Sequence, residues 1–304
     1  MKKIILPIII SLNLMGNVND GVNKSWSETI LLKPTKPLSD EELKDRIIYT
    51  QLAGAGLVAL WGTAFWDYFT IKPVIKNEGW FGKDTKYGGA DKLGHLYSTY
   101  LWSYGFSSLY QYWGMESDDA ILYASLSSWS LQGLMEFGDS FSKSQGFSYE
   151  DFIMNTVGAG FYYLREKYPQ IKDRVDLKLE YMPDFNSNVD FFTQYNSMKY
   201  FVSFKFSGFE STKDTPLKYF DVDLGYYTRG YSQSEDYRYE DRERVAYIGI
   251  SVNLSKIFSD NGYEKIGEVF HYYQPPYTSI PFGYDMDSNS YVKPYSRGYF
   301  GDKK

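Results

Sequence analysis

The pattern of apolar and polar positions changes character near Pro169. Before it lie long uncharged runs of helical length, and after it apolar residues fall on every second position, the mark of half-buried strands. Ser39-Asp40-Glu41-Glu42 reads as a capping box, because a serine can accept from an amide three residues on while the glutamate reaches back. A first helix is predicted from there to Trp66, with Ala53-Gly54-Ala55-Gly56 permitting close helix contact. Glycines at 79, 82, 88 and 89 predict a loop. Three more helices follow, over about Ala90–Trp113, Ser117–Ser140 and Ser148–Tyr168, the last stopped by Pro169. The runs Ile47–Trp66, Leu93–Met115 and Ala120–Met135 carry no Asp, Glu, Lys or Arg, yet Ser, Thr, Tyr and Gln interrupt them. Such runs suit a polar-lined transmembrane bundle or helices buried in a large protein, and membrane contact is the favoured reading.

Past Pro169, Tyr200, Val202, Phe204 and Phe206 share one strand face, with Ser203 and Lys205 on the other. Phe220, Val222, Leu224 and Tyr226 repeat the pattern, as do Ala246, Ile248, Ile250, Val252 and Leu254. With Asp176–Met182 this makes about four strands, too few for a closed transmembrane barrel of about eight. The reading is a small antiparallel meander packed on the helices, and Ser232–Arg244 a solvated hairpin connection. The fold class is α+β: a four-helix, largely apolar bundle followed by a small antiparallel β-meander. Its segments are a leader (1–16), a polar linker (17–38), helices (39–170), strands (171–260) and an extended Pro- and Tyr-rich tail (261–304).

The leader is read from Lys2 and Lys3 followed by the apolar run Ile4–Met15, the form of a secretory signal. Gly16 allows cleavage while Leu14 fits a cleavage site poorly, so an uncleaved anchor stays open. Composition adds that aromatics reach 19%, with 31 Tyr, an excess that suits half-wet surfaces and membrane interfaces. The net charge of −6 removes the electrostatic drive for nucleic-acid binding. The absence of cysteine excludes disulfides, thiolate metal sites and thiol nucleophiles.

Ionisable residues inside apolar helices are costly and need a reason. Asp91 and His95 lie four apart on one helix face with Lys92 beside them; Glu136 and Asp139 lie three apart, and Asp151 and Asn155 four apart. Converged at one end of a bundle, they would form a site. His95 would act as base, Asp91 would orient it, and Glu136 would complete a candidate catalytic set. Lys92, Asp139, Ser148, Asp151 and Asn155 would bind ligand. A metal held by His95, Glu136, Asp139 and Asp151 would be Mg, Ca or Mn, since most donors are oxygen. The alternative is structural: Ser148 and Asp151 as a capping box, Asp91 favouring a helix start, and Glu136 and Asp139 paired with Lys92. His271 has no acidic partner at helical spacing and reads as structural. Nucleophile-elbow, phosphate-loop and H-E-x-x-H motifs do not occur.

The elements Asp91-Lys92-Leu93-Gly94-His95, Glu136-Phe137-Gly138-Asp139 and Phe147-Ser148-Tyr149-Glu150-Asp151 with Asn155 and Gly158 together resemble the YfiM-type family of predicted periplasmic lipoproteins of Gram-negative bacteria, a domain of unknown function. The resemblance extends to Pro216–Tyr226 and Arg244–Ile257, so that about residues 45–275 are covered. A similar D-K-x-x-H with a later acidic residue and D-x-x-x-N-x-x-G occurs in the VanZ-like integral membrane family. The resemblance implies an envelope location and a shared polar site, and supplies no reaction. Lipid anchoring is not carried over, because the cysteine it needs is missing. The expectation is an exported, membrane-associated, periplasmic envelope protein that binds a lipid headgroup or envelope precursor. The alternative is a hydrolase or transferase acting on a lipid-linked or phosphorylated envelope substrate.

Overall fold

The computed structural model describes residues 37–185, 191–231 and 238–293. The expected leader, most of the linker, residues 232–237 of the charged loop and the tail beyond 293 lie outside the described residues. The class is α+β, with seven helices and a six-stranded antiparallel sheet among the described residues. The helices are α1 (Asp40–Phe65), α2 (Ala90–Tyr112), α3 (Ser117–Asp139), α4 (Tyr149–Lys167), α5 (Pro169–Lys172), α6 (Leu254–Asp260) and α7 (Glu264–Val269). The strands are β1 (Ile75–Lys76), β2 (Phe147–Ser148), β3 (Val175–Tyr181), β4 (Met198–Lys205), β5 (Phe220–Arg229), β6 (Glu243–Val252), β7 (Ser279–Asp285) and β8 (Ser290–Val292). The chain forms two compact units, one of residues up to Lys76 with Trp102–Tyr162, the other of Asn77–Leu101 with Tyr163 onward.

In the first unit, α1 begins at the expected capping box: the Glu42 amide donates to Ser39 Oγ at 3.3 Å and the Ser39 amide donates to Glu42 Oε2 at 2.8 Å. Its 26 residues reach about 39 Å, and it is the one helix among those described that is long and apolar enough to cross a membrane. Only Thr50 and Gly62 are buried along it. Phe106, Tyr110, Trp113, Ala120 and Ala124 form an apolar core where α2 turns into α3, capped by Leu43 and Ile47 of α1. Down the inner stripe of α3, spaced four residues apart, Ala120, Ala124, Ser128, Gln132 and Glu136 are all buried, so the interior grows polar toward the end of the helix. Leu122, Leu126, Leu134 and Phe137 on the same helix face outward, as does Val157 on α4. β1 and β2 make a short parallel pair, a contact with no period for a sequence reading to find.

In the second unit the strands run in the order β3-β4-β5-β6-β7-β8, every neighbour antiparallel. Two expectations are corrected here. About four strands were expected and six are present, because the tail read as extended contains α7, β7 and β8. Pro281 and Gly283 hid β7 from a pattern reading; β8 pairs only with Gly283–Asp285, so Pro281 sits where β7 is itself an edge and a missing N–H is tolerated. The second correction concerns the direction of the faces. Leu224 is 47%, Ile248 58% and Phe282 60% exposed, whereas Ser203, Asp223 and Lys205 on the opposite face are at most 3% exposed. The alternation was legible, but the side expected to be packed is largely exposed, and the covered side carries these polar groups together with an apolar cluster of Phe201, Tyr227, Val245 and Tyr247. Only beside β3 and β4 do the first turns of α2 cover the apolar face, where Tyr97 packs on Tyr200 and Leu177 is buried.

Candidate functional site

In the first unit a polar cluster forms between the end of α3 and the start of α4. The Ser148 amide donates to Glu136 Oε2 at 3.4 Å. Ser148 Oγ accepts from the Asp151 amide at 3.2 Å and donates to Glu150 Oε2 at 3.1 Å. Ser148 thus caps α4 as the spacing predicts, and it also ties α4 to α3. Glu136, Ser148, Glu150, Asp151 and Asn155 are all buried, Asn155 one turn beyond Asp151 on the same face. Backbone bonds hold this end in place: the Gly146 amide donates to the Asp139 carbonyl at 2.9 Å and the Val74 amide to the Ser140 carbonyl at 2.8 Å.

Tyr68 enters the same region from the loop after α1. Asp67 and Phe69 on either side of it have φ of 56° and 65°, left-handed values that cost energy for non-glycine residues. This turn sends the ring between Gly62 of α1 and Gly138 of α3, and a Cβ at either glycine would overlap the ring. The Tyr68 hydroxyl donates to the Met135 carbonyl at 3.0 Å. Burial, then the Asp139 carboxylate and Glu136, hold the hydroxyl well above its ordinary pKa, so it stays protonated and donates.

In the second unit Lys92 Nζ lies 2.8 Å from Glu78 Oε2 and 2.9 Å from Asp91 Oδ2, and the lysine is fully buried. Gly88 and Gly89 before α2 take left-handed φ values of 64° and 88°, and a Cβ at Gly89 would meet Phe81. Gly94 leaves room for Tyr195 and Tyr200 against the helix. The carbonyl of His95, a half-buried residue, accepts from Thr99 Oγ1 at 2.8 Å.

The covered face of the sheet holds a further network in the same unit. Asp176 Oδ1 receives Arg165 Nη2 at 2.7 Å and Lys205 Nζ at 2.8 Å, while Oδ2 receives His271 Nδ1 at 2.8 Å. Lys178 pairs with Asp221 at 2.8 Å, Lys199 with Glu180 at 2.6 Å, and Ser203 donates to Asp223 at 2.6 Å. Glu180 and Lys199 are direct cross-strand partners, as are Ser203 and Asp223.

Of the residues singled out in the sequence, the structure joins Glu136, Ser148 and Asp151 within the first unit and sets Asp139 beside Tyr68. In the second it joins Asp91 and Lys92. Sequence reasoning missed Tyr68, Glu78 and Glu150. The signals available for Tyr68 were the glycines at 62 and 138, each a position where a neighbour comes close. For His271 the acidic partner lies 95 positions earlier in the chain, beyond any helical spacing.

Both units thus bury ionisable and hydroxyl groups beside small apolar cores and leave many apolar side chains exposed. A family model described as a predicted periplasmic lipoprotein (DUF2279) matches residues 77–167, which include the Asp91, Glu136 and Asp151 motifs. That description fits an envelope protein with a periplasmic location. No curated protein matches the chain. No solved structure matches it.

Proposed function

We propose that this is a membrane-held envelope protein whose helical bundle binds the headgroup of a lipid or lipid-linked envelope precursor without turnover. The observation that carries the reading is the buried Glu136–Ser148–Asp151 cluster in a unit whose outward positions, Leu122, Leu126, Phe137 and Val157, are exposed and apolar. Charge kept inside an apolar surround is expensive, so a cluster of carboxylates there needs a use. Carboxylates and hydroxyl oxygens recognise ammonium and hydroxyl donors, the chemistry of ethanolamine and sugar headgroups. The same oxygen donors suit a hard cation such as Mg²⁺ or Ca²⁺ as a bridge to a phosphate.

The test compares melting of the full chain in detergent with and without phosphatidylethanolamine, phosphatidylglycerol and divalent cations. The wild type is expected to melt at a higher temperature with one of these, and Glu136→Gln to lose that rise, because a ligand stabilises only the form that binds it. No rise with any of them defeats the reading. Turnover of a bound lipid by the wild type replaces it with the hydrolase or transferase reading.

A further inference from the structure

The exposed face of the six-stranded sheet sorts its residues by height. The register places Tyr226, Tyr284 and Tyr291 in one cross-strand row. The next row holds Leu224, Ile248 and Phe282, and the row after it Val222, Ile250 and Ile280. Phe220 closes the far end of β5. None of these positions carries an acidic or basic side chain, and the charges flanking the face are at its ends. Arg242 and Arg244 stand beside the tyrosine row, with Asp287 paired to Arg244 at 2.7 Å, and Arg174 and Lys218 lie beyond the other end, with Asp260 paired to Lys218 at 3.0 Å. A tyrosine row at one end, an uncharged middle and charged groups confined to the two ends follow the polarity order of interface, hydrocarbon and headgroup zones.

The outward uncharged rows run from Phe220 to Tyr226 on β5 and from Ala246 to Val252 on β6, six steps or roughly 20 Å at about 3.4 Å per residue. Tilted by about 40°, they project roughly 16 Å along the normal, the depth of about one leaflet of a ~30 Å hydrocarbon core. Where α2 rises from this face, Leu93 and Leu96 border a groove of about 640 Å³ that continues over Leu224, Ala246 and Ile248. Its size is that of a small-molecule site, and its lining is apolar.

We propose that this face of the sheet lies against the hydrocarbon of a bilayer, with an acyl chain in the groove beside α2 and the Asp176–Lys205 network as the sheet's polar inside. In water, alternating strands bury the apolar side; here one apolar side is left outside, while the covered side holds the charged network beside the Phe201, Tyr227, Val245 and Tyr247 cluster. The proposal goes beyond headgroup binding by the helices and does not depend on it.

The absence of cysteine makes labelling selective. Ile248→Cys and Leu224→Cys on the sheet, Leu122→Cys on α3 and Asp214→Cys in the turn before β5 would each carry one polarity-sensitive dye. All four residues are exposed, so the labels leave the packed interior alone. The full chain is reconstituted in vesicles of phosphatidylethanolamine and phosphatidylglycerol, with and without doxyl groups on the acyl chains. The expected result is a blue shift at 248 and 224 and loss of most of their emission to the doxyl lipids, with the 214 label quenched only by iodide. Sheet labels that iodide quenches, while the 122 label answers to doxyl, overturn the proposal and leave the helices in the membrane. Sheet labels shielded from both quenchers mean a protein covers the face, which also overturns it. If the 122 label is likewise untouched by doxyl, membrane embedding of both units falls.

Discussion

Asp176 shows how much one side chain carries. It has no exposed surface and takes bonds from Arg165, Lys205 and His271. Removing one member of a buried ionic group costs about 3–5 kcal/mol, because the remaining charges stay buried without compensation. Asp176→Ala should therefore lose about that much in a denaturant melt. Asp260→Asn makes the contrast: Asp260 pairs with Lys256 at 2.7 Å and Lys218 at 3.0 Å near the surface, where water screens both, and its loss should cost about 1 kcal/mol or less. A loss for Asp176→Ala below about 1 kcal/mol would show that the network on the covered face holds nothing together. The charges were visible in the sequence as the second half of an alternation, and nothing local marked Asp176 as their meeting point. Arg165, Lys205 and His271 reach it from α4, β4 and the segment after α7, so only the fold unites them.

At the scale of elements, α1 and α3 are fitted together around Tyr68. The ring fills the space left by Gly62 and Gly138, and its hydroxyl reaches the α3 backbone. A methyl group at Gly138 has no free room, so Gly138→Ala should destabilise the first unit by about 1–3 kcal/mol, the usual cost of overpacking. The double variant Gly138→Ala with Tyr68→Ala should lose less than the sum of the two, since the clash disappears with the ring. Additive losses, read from melting of all three variants, would remove the clamp. Helix bounds were legible because capping residues, glycine and proline act locally: Ser39 starts α1 and Pro169 follows the end of α4. β7 was not, because Pro281 and Gly283, residues that argue against a strand, stand between its alternating Ile280, Phe282 and Tyr284, and only its pairing with β6 makes it a strand.

At the scale of the molecule, the outward surface of each unit decides where the protein can live. Leu52, Leu57, Leu60 and Phe65 on α1 are exposed, as are Ile248, Ile250 and Phe282 on the sheet. Apolar patches of that extent are rare on soluble proteins. The full chain should remain in the membrane fraction through high salt and alkaline washes and require detergent for release. Recovery in the soluble periplasm would contradict this. The sequence by itself determined the four long helices, the change to strands after Pro169, the reading of an envelope protein and the polar motifs, because each depends on neighbours within a few residues. The tertiary structure decided which side of each alternation faces out, since a period of two names two faces and does not say which one is covered. It also decided that the Glu136 motif meets the Ser148 motif and that Tyr68 reaches the end of α3, because such contacts come from packing of segments apart in the chain.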